Sequence, residues 1–310
     1  AAAMLRSPTI RVPQLKKLLT EKSPLRLLDV AYTLKEPANH YEFAETNYGK
    51  FEKLMKEKAH PDYVKEHIPG ATHFNLDIAS YPGKYERASL YPPDLFQEYI
   101  QRLGINKGDT VVVYGRGHSA GMLFAARAWW LLKMYGMHTS VLEGGLEKWK
   151  EAGGAVTDTV DKRELGNWTA SAPREDLIVL YDDLMREGTF EKLDQVNMLD
   201  CRPSEEFYGT KPLAFPPNGA PGARIAGSKC VPLSAILSTD GELKTTGEIR
   251  EVLKLARHDP SVPTYTICNG GTQAALLGLA LDKAGVKWSL FNGSLREVSK
   301  RNPSLINTKG

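Results

Sequence analysis

The stretch VPTYTICNGGTQAALLGLALDKAG, residues 262–285, decides the fold. A β-branched run ends in Cys268, two glycines follow, and an apolar helical pattern begins at once. A strand that turns directly into a helix is the building unit of a parallel sheet with crossover helices. The chain has three cysteines and places one of them on that hinge.

Working outward, the same order of elements occurs twice. LRLLDV (25–30), DTVVVYG (109–115) and TSVLEGG (139–145) read as compact strands, with helical patterns in PDLFQEYIQRLG (93–104) and AGMLFAARAWWLLKMYG (120–136). Alternation of this kind implies an α/β fold: a central parallel β-sheet flanked by helices on both faces. VNMLDCR (196–202) then answers LRLLDV, VPTYTIC answers TVVVYG, and LFNGSLREV answers VLEGGLEKW. TTGEIREVLKLAR (245–257) answers the helix after Pro93; its Ile249, Val252, Leu253 and Ala256 share one face, and Thr245 with Glu248 spells a capping box. From Gly136 and Gly285 to Leu146 and Leu295 the two halves keep a constant offset of 149 residues. A repeat this long is a duplicated domain. The expected division is 8–156 and 177–310, joined by the polar linker 157–176.

Bulk properties agree and exclude several classes. A length of 310 residues suits two domains of ordinary size. A net charge of +3 without a basic run argues against nucleic acid. The apolar run 274–281 is too short to span a membrane. Cys201, Cys230 and Cys268 lack C-x-x-C spacing, so no metal site is expected. Free thiols read as a reducing compartment, cytoplasmic or mitochondrial. The first residues contain no hydrophobic segment of signal-peptide type, and Ala1–Ala3 ahead of Met4 read as a cloning remnant.

The halves differ at the hinge. After TVVVY the first half runs GRGHSAGM; after TYTI the second runs CNGGTQA, shorter and with the cysteine. Ligands of open parallel sheets sit beyond the carboxyl ends of strands. Asn269, Gly270, Gly271, Thr272 and Gln273 are small or polar, so their amides are expected to curl into a nest ahead of a helix N-terminus. A thiolate there has a depressed pKa and is nucleophilic. A free cysteine also serves as a small buried hydrophobe, and the glycines and the asymmetry weigh against that use.

In LLDVAYTL, HIPGATHFNLD, ARAWWLLKMYG, VLEGGLEKW, LDCRPSEEFYG and CNGGTQA, in this order, the chain resembles the tandem-domain rhodanese-like sulfurtransferases, which act on thiosulfate or 3-mercaptopyruvate. The resemblance implies two rhodanese-like domains, of which only the C-terminal one carries the cysteine. It also implies a Cys268 persulfide, no cofactor, a small anionic sulfur donor, and a thiol or cyanide acceptor, thioredoxin and glutathione being thiols of that class. Arg202, in LDCR, matches a family arginine and is a candidate for the donor's anionic group; its alternative is an ion pair with Glu205 or Glu206. His67 and Arg116 are further candidates from the first half.

The loop departs from the family's C-G-S/T-G-V-T-A and C-R-K-G-V-T-A patterns. Gly270 stands where mercaptopyruvate enzymes place a hydroxyl, Arg224 stands in place of a histidine, and Tyr208 in place of an arginine. A phosphatase of C-x5-R type needs an arginine at Ala274. The uncharged loop points to mercaptopyruvate over thiosulfate, and a catalytically silent binding module is the alternative from another class.

Overall fold

The computed structural model describes residues 6–57, 60–211 and 224–307, so Ala1–Met4 lie outside the described residues. The chain divides into two compact units, Ala1–Pro82 with Ser89–Arg174, and Gly83–Ala88 with Glu175–Gly310.

Unit 1 is built on a five-stranded sheet in the spatial order Thr9–Ile10, Thr139–Leu142, Thr110–Tyr114, Leu25–Asp29, Thr72–His73, parallel throughout. Unit 2 repeats that order with Ile178–Val179, Ser289–Phe291, Thr264–Ile267, Asn197–Asp200 and Lys229–Cys230, again parallel. The central strands are buried almost throughout, as expected where helices cover both faces. Val111 to Tyr114 are all buried, as are Asn197 to Asp200.

The helix Thr272–Lys283, which follows Cys268, is buried on every residue from Ala274 to Leu281. Its periodicity is weak because it packs on all sides. Gly278 forgoes about 1 kcal/mol of helix propensity relative to alanine. A Cβ there would lie 2.3 Å from the Trp288 ring, which takes the space instead. In unit 1 the helix Leu123–Met134 plays the same part, with Trp129 and Trp130 buried in its packing. The outer helices are one-sided. Thr246–Leu255 buries Ile249 and Leu253 and starts on the expected box: Glu248 N donates to Thr245 Oγ1 at 3.2 Å, and Thr245 N to Glu248 Oε1 at 3.1 Å.

Two segments differ from the expected division. Residues 157–174 are polar, yet they form a built part of unit 1. Gly166 N donates to Gln101 O, Trp168 N to Ile105 O, and Ser171 N to Tyr135 O, and the Trp168 ring is buried. Backbone pairing of this kind leaves no trace in composition. Gly83–Ala88 precedes the strand Ser89–Leu90 in the chain and yet belongs to unit 2. Among the described residues no helix is long and apolar enough to cross a membrane.

Candidate active site

Ile267 and Asp200 are register partners at the carboxyl ends of neighbouring parallel strands. The next residues, Cys268 and Cys201, therefore lie side by side, and Cys201 N donates to Ile267 O at 3.0 Å. Both thiols are buried, each with 1% exposure.

Beyond Cys268 the chain curls. Gly271 has φ of +96°, a conformation open to glycine and strained for other residues, and it caps the following helix. Its N–H donates to Cys268 Sγ at 3.1 Å, and the amides of Gly270 and Ala274 also act to lower the pKa of that sulfur. Around the nest, Cys268 N donates to Ser294 Oγ at 3.2 Å, Leu295 N to Cys268 O at 3.2 Å, and Arg296 N to Asn269 O at 2.8 Å. Burial alone would push the Cys268 thiol up. Hydrogen bonds from the Cys201 thiol and from the amides of Ala274, Gly271 and Gly270 outweigh it and bring the thiol down to about 7. Cys201 moves the other way: burial and the neighbouring Cys268 sulfur hold it well above the ordinary range, so it stays a thiol and donates.

Arg202 is fully buried and clamps Asp200, through Nε at 3.0 Å and Nη2 at 2.8 Å. Its ion-pair partner is therefore the strand-end aspartate, while Glu206 and Cys268 lie within electrostatic reach of the guanidinium. Burial pushes the Glu206 carboxyl up, opposed by Arg202 and by a hydrogen bond from Asn269. Thr272 and Gln273 stand half-buried in the first helical turn, with Gln273 Oε1 buried and without a hydrogen-bond partner. Arg224 and Tyr208, the two departures from the family pattern, meet each other: the guanidinium lies 5.0 Å from the Phe207 ring centre and 5.8 Å from that of Tyr208.

The remaining candidates belong to unit 1. The His67 ring is buried, with Nδ1 2.7 Å from the Tyr63 carbonyl oxygen, Nε2 2.8 Å from that of Thr159, and the Tyr63 ring stacked at 4.3 Å. Arg116 pairs with the buried Asp29 and donates to the carbonyls of Asp62 and Glu66 at 3.1 and 3.0 Å.

One contributor had no signal in the spacing. A Cβ built on Gly270 would lie 3.1 Å from Cδ and 3.3 Å from Cβ of Arg87, so the arginine stem covers the loop position that lacks a side chain. Its segment is fastened by Asn292, whose Nδ2 donates to Glu86 Oε2 at 2.5 Å and to Ala88 O at 2.8 Å. The Arg301 guanidinium stacks 4.7 Å from the Tyr85 ring centre. Reading Gly270 as vacant space could have prompted a search for a distant filler, but nothing near residue 87 names it.

The rhodanese-like domain model matches residues 12–152 and 187–301. A Caenorhabditis elegans protein described as a candidate thiosulfate sulfurtransferase is 35% identical over 304 residues, covering 94% of this chain and 93% of that one. The thiosulfate sulfurtransferase of Rattus norvegicus is 28% identical over 250 residues, covering 79% and 82%. Among solved structures, the Tum1 protein of Saccharomyces cerevisiae superposes with a TM-score of 0.75 at 22% identity, covering 98% and 99% of the two chains. The 3-mercaptopyruvate enzyme SseA of Escherichia coli gives 0.69 at 22% identity, covering 93% and 98%.

Proposed function

Given that the chain belongs to the rhodanese-like domain family and is a sulfurtransferase, we propose that sulfane sulfur passes from a small anionic donor through a Cys268 persulfide to a thiol or cyanide acceptor. The observation that carries this reading is the Cys268 sulfur itself, which is buried, accepts the Gly271 amide at 3.1 Å and has its pKa brought down to about 7 by the loop amides. Its thiolate attacks the donor's outer sulfur, the donor's remainder leaves with the bonding pair, and the same amides hold the terminal sulfur. Three free cysteines suit a reducing compartment, the cytosol or the mitochondrial matrix.

The donor follows from charge. The expectation of mercaptopyruvate rested on a loop without cations. Arg87 adds a cation to that balance, because its stem lies against Gly270, two residues from the nucleophile. Arg202 lies within electrostatic reach of Cys268, but its charge is paired with the buried Asp200. The hydroxyl used to protonate a carbon leaving group is still absent at Gly270, and sulfite leaves without a proton. These features favour thiosulfate. Asn269, Gly270, Gly271, Thr272 and Gln273 form the cradle in this reading, with His67 and Arg116 the candidates that unit 1 contributes.

Steady-state kinetics with both donors and one thiol acceptor test the proposal. Thiosulfate should have the higher kcat/KM, and Arg87→Ala should raise its KM about tenfold, the worth of one charge-assisted contact. A preference for mercaptopyruvate, with KM unmoved in Arg87→Ala, would reverse the donor assignment. Turnover of neither donor, with no sulfur gained by Cys268, would leave the silent binding module.

A further inference from the structure

We propose that Cys201 is a resolving thiol: when the Cys268 sulfur carries a leaving group, Cys201 closes a disulfide onto it, and a loaded persulfide is thereby discharged as sulfide. The proposal rests on the sulfur-carrier reading for its leaving group, and on its own geometry for the pair.

Three observations place the thiols for that reaction. The two cysteines follow register partners on adjacent parallel strands, whose spacing of about 4.8 Å falls within the Cα separation of about 4.4–6.8 Å that a disulfide spans. The two sulfurs are close enough to act on each other's titration, Cys201 lowering the Cys268 pKa and Cys268 raising that of Cys201. Both are buried, so the partner of highest effective concentration for Cys201 is Cys268, ahead of any thiol in solution. Loop amides hold the Cys268 sulfur from the side of Gly270, Gly271 and Ala274, while Cys201 reaches it from the neighbouring strand end.

The step balances without an external oxidant. The Cys201 thiol gives its proton to the anionic outer sulfur of the persulfide, and the thiolate so formed attacks the inner, Cys268 sulfur; the bond between the inner and outer sulfurs breaks, and the outer sulfur leaves with that electron pair. The Cys201 proton ends on the departing atom, giving hydrosulfide. The sulfane sulfur is reduced, and the two cysteine sulfurs are oxidised to a disulfide. A dithiol of the redoxin class resets the pair by thiol–disulfide exchange, becoming a disulfide itself.

Unit 1 supplies the contrast. There Val30 donates to Tyr114 O as Cys201 does to Ile267 O, and Gly115 stands at the place of Cys268. The frame that brings two thiols together in unit 2 brings together two groups without sulfur chemistry in unit 1.

The test loads the wild-type chain and Cys201→Ser with one equivalent of thiosulfate and no acceptor, and follows intact mass, released sulfide and unreduced peptide maps. The wild type should pass from a species one sulfur heavier to one lighter than the reduced chain by two hydrogens, with sulfide released and the Cys201 and Cys268 peptides linked. Cys201→Ser should keep its added sulfur. Equal persistence of the added sulfur in both proteins overturns the proposal. In a second arm the thiol oxidant diamide, whose adduct on Cys268 is another leaving group, should link the same two peptides in the wild type and in Cys230→Ser. No link, or a link through Cys230, overturns the pair. A link with diamide but no sulfur gained from thiosulfate supports the pair and sinks the sulfur-carrier reading instead.

Discussion

The two units carry the same backbone answer to two different side-chain questions. In unit 1 Val30 N donates to Tyr114 O, Ala31 N to Asp29 Oδ1, and Leu146 N to Gly115 O. In unit 2 Cys201 N donates to Ile267 O, Arg202 N to Asp200 Oδ1, and Leu295 N to Cys268 O. What differs is the loop after the central strand. In unit 1 it folds back so far that a Cβ on Gly115 would lie 2.7 Å from the Gly121 carbonyl oxygen, and that close approach requires glycine. The shorter loop of unit 2 leaves room for a side chain and turns its amides toward it. The arginine that balances the strand-end aspartate has moved too, from Arg116 on the loop after the central strand to Arg202, two residues past the aspartate itself. With the charge supplied from the aspartate's own segment, the loop is relieved of its cation and can close around a sulfur atom. A duplicated frame thus yields one nucleophile site through loop length and the seat of one arginine.

The largest effect should come from exchanging the hinge residues. Cys268→Ser should reduce sulfur transfer to background while leaving the fold intact. Gly115→Cys should gain no sulfur by intact mass and should lose stability against the Gly121 carbonyl. Loading of sulfur at residue 115 would break the comparison.

Next come the two ion pairs. Arg202→Ala strands a fully buried carboxylate and should cost about 3–5 kcal/mol in denaturant unfolding, confounding any reading of its KM. Arg116→Ala should cost less, because burial already raises the Asp29 carboxyl, with Arg116 the main opposing influence, and proton uptake relieves the loss. A group whose folded pKa is raised stabilises the fold at low pH and loses that contribution as pH rises through the folded value. The Arg116→Ala deficit should therefore shrink on acidification; a constant deficit from pH 7 to 4 would contradict it.

The smallest effect is the titration of the nucleophile. With the thiol at about 7, kcat/KM should fall about tenfold per pH unit below that midpoint. An unfolded thiol titrates at about 8.5, so this depressed group adds stability at high pH that is lost as pH falls through about 7. A kinetic midpoint near the free-thiol value would mean that the nest does not act on the sulfur.

The strand-loop-helix at Cys268 was legible because β-branched residues, two glycines and an apolar helix fall in immediate succession, and the duplication because its offset never drifts. The nest amides follow from that local geometry alone. Arg87 and the Cys201–Cys268 contact were not legible, since each joins residues far apart in the chain through strand order and side-chain reach. From the sequence Arg202 is a candidate either for the donor's anionic group or for an ion pair with Glu205 or Glu206, and its clamp on Asp200 depends on a bidentate fit that residue types do not announce.

The attachment of Gly83–Ala88 to unit 2 sets an order of assembly. Glu86 precedes its partner Asn292 by 206 residues. At synthesis rates of about 5–20 residues per second, the segment waits roughly 10–40 s for the residue that anchors it. The cover over Gly270 is thus among the last parts of the site to be completed. A nascent chain released before Asn292 lacks that anchor even when the strand and helix around Cys268 are present.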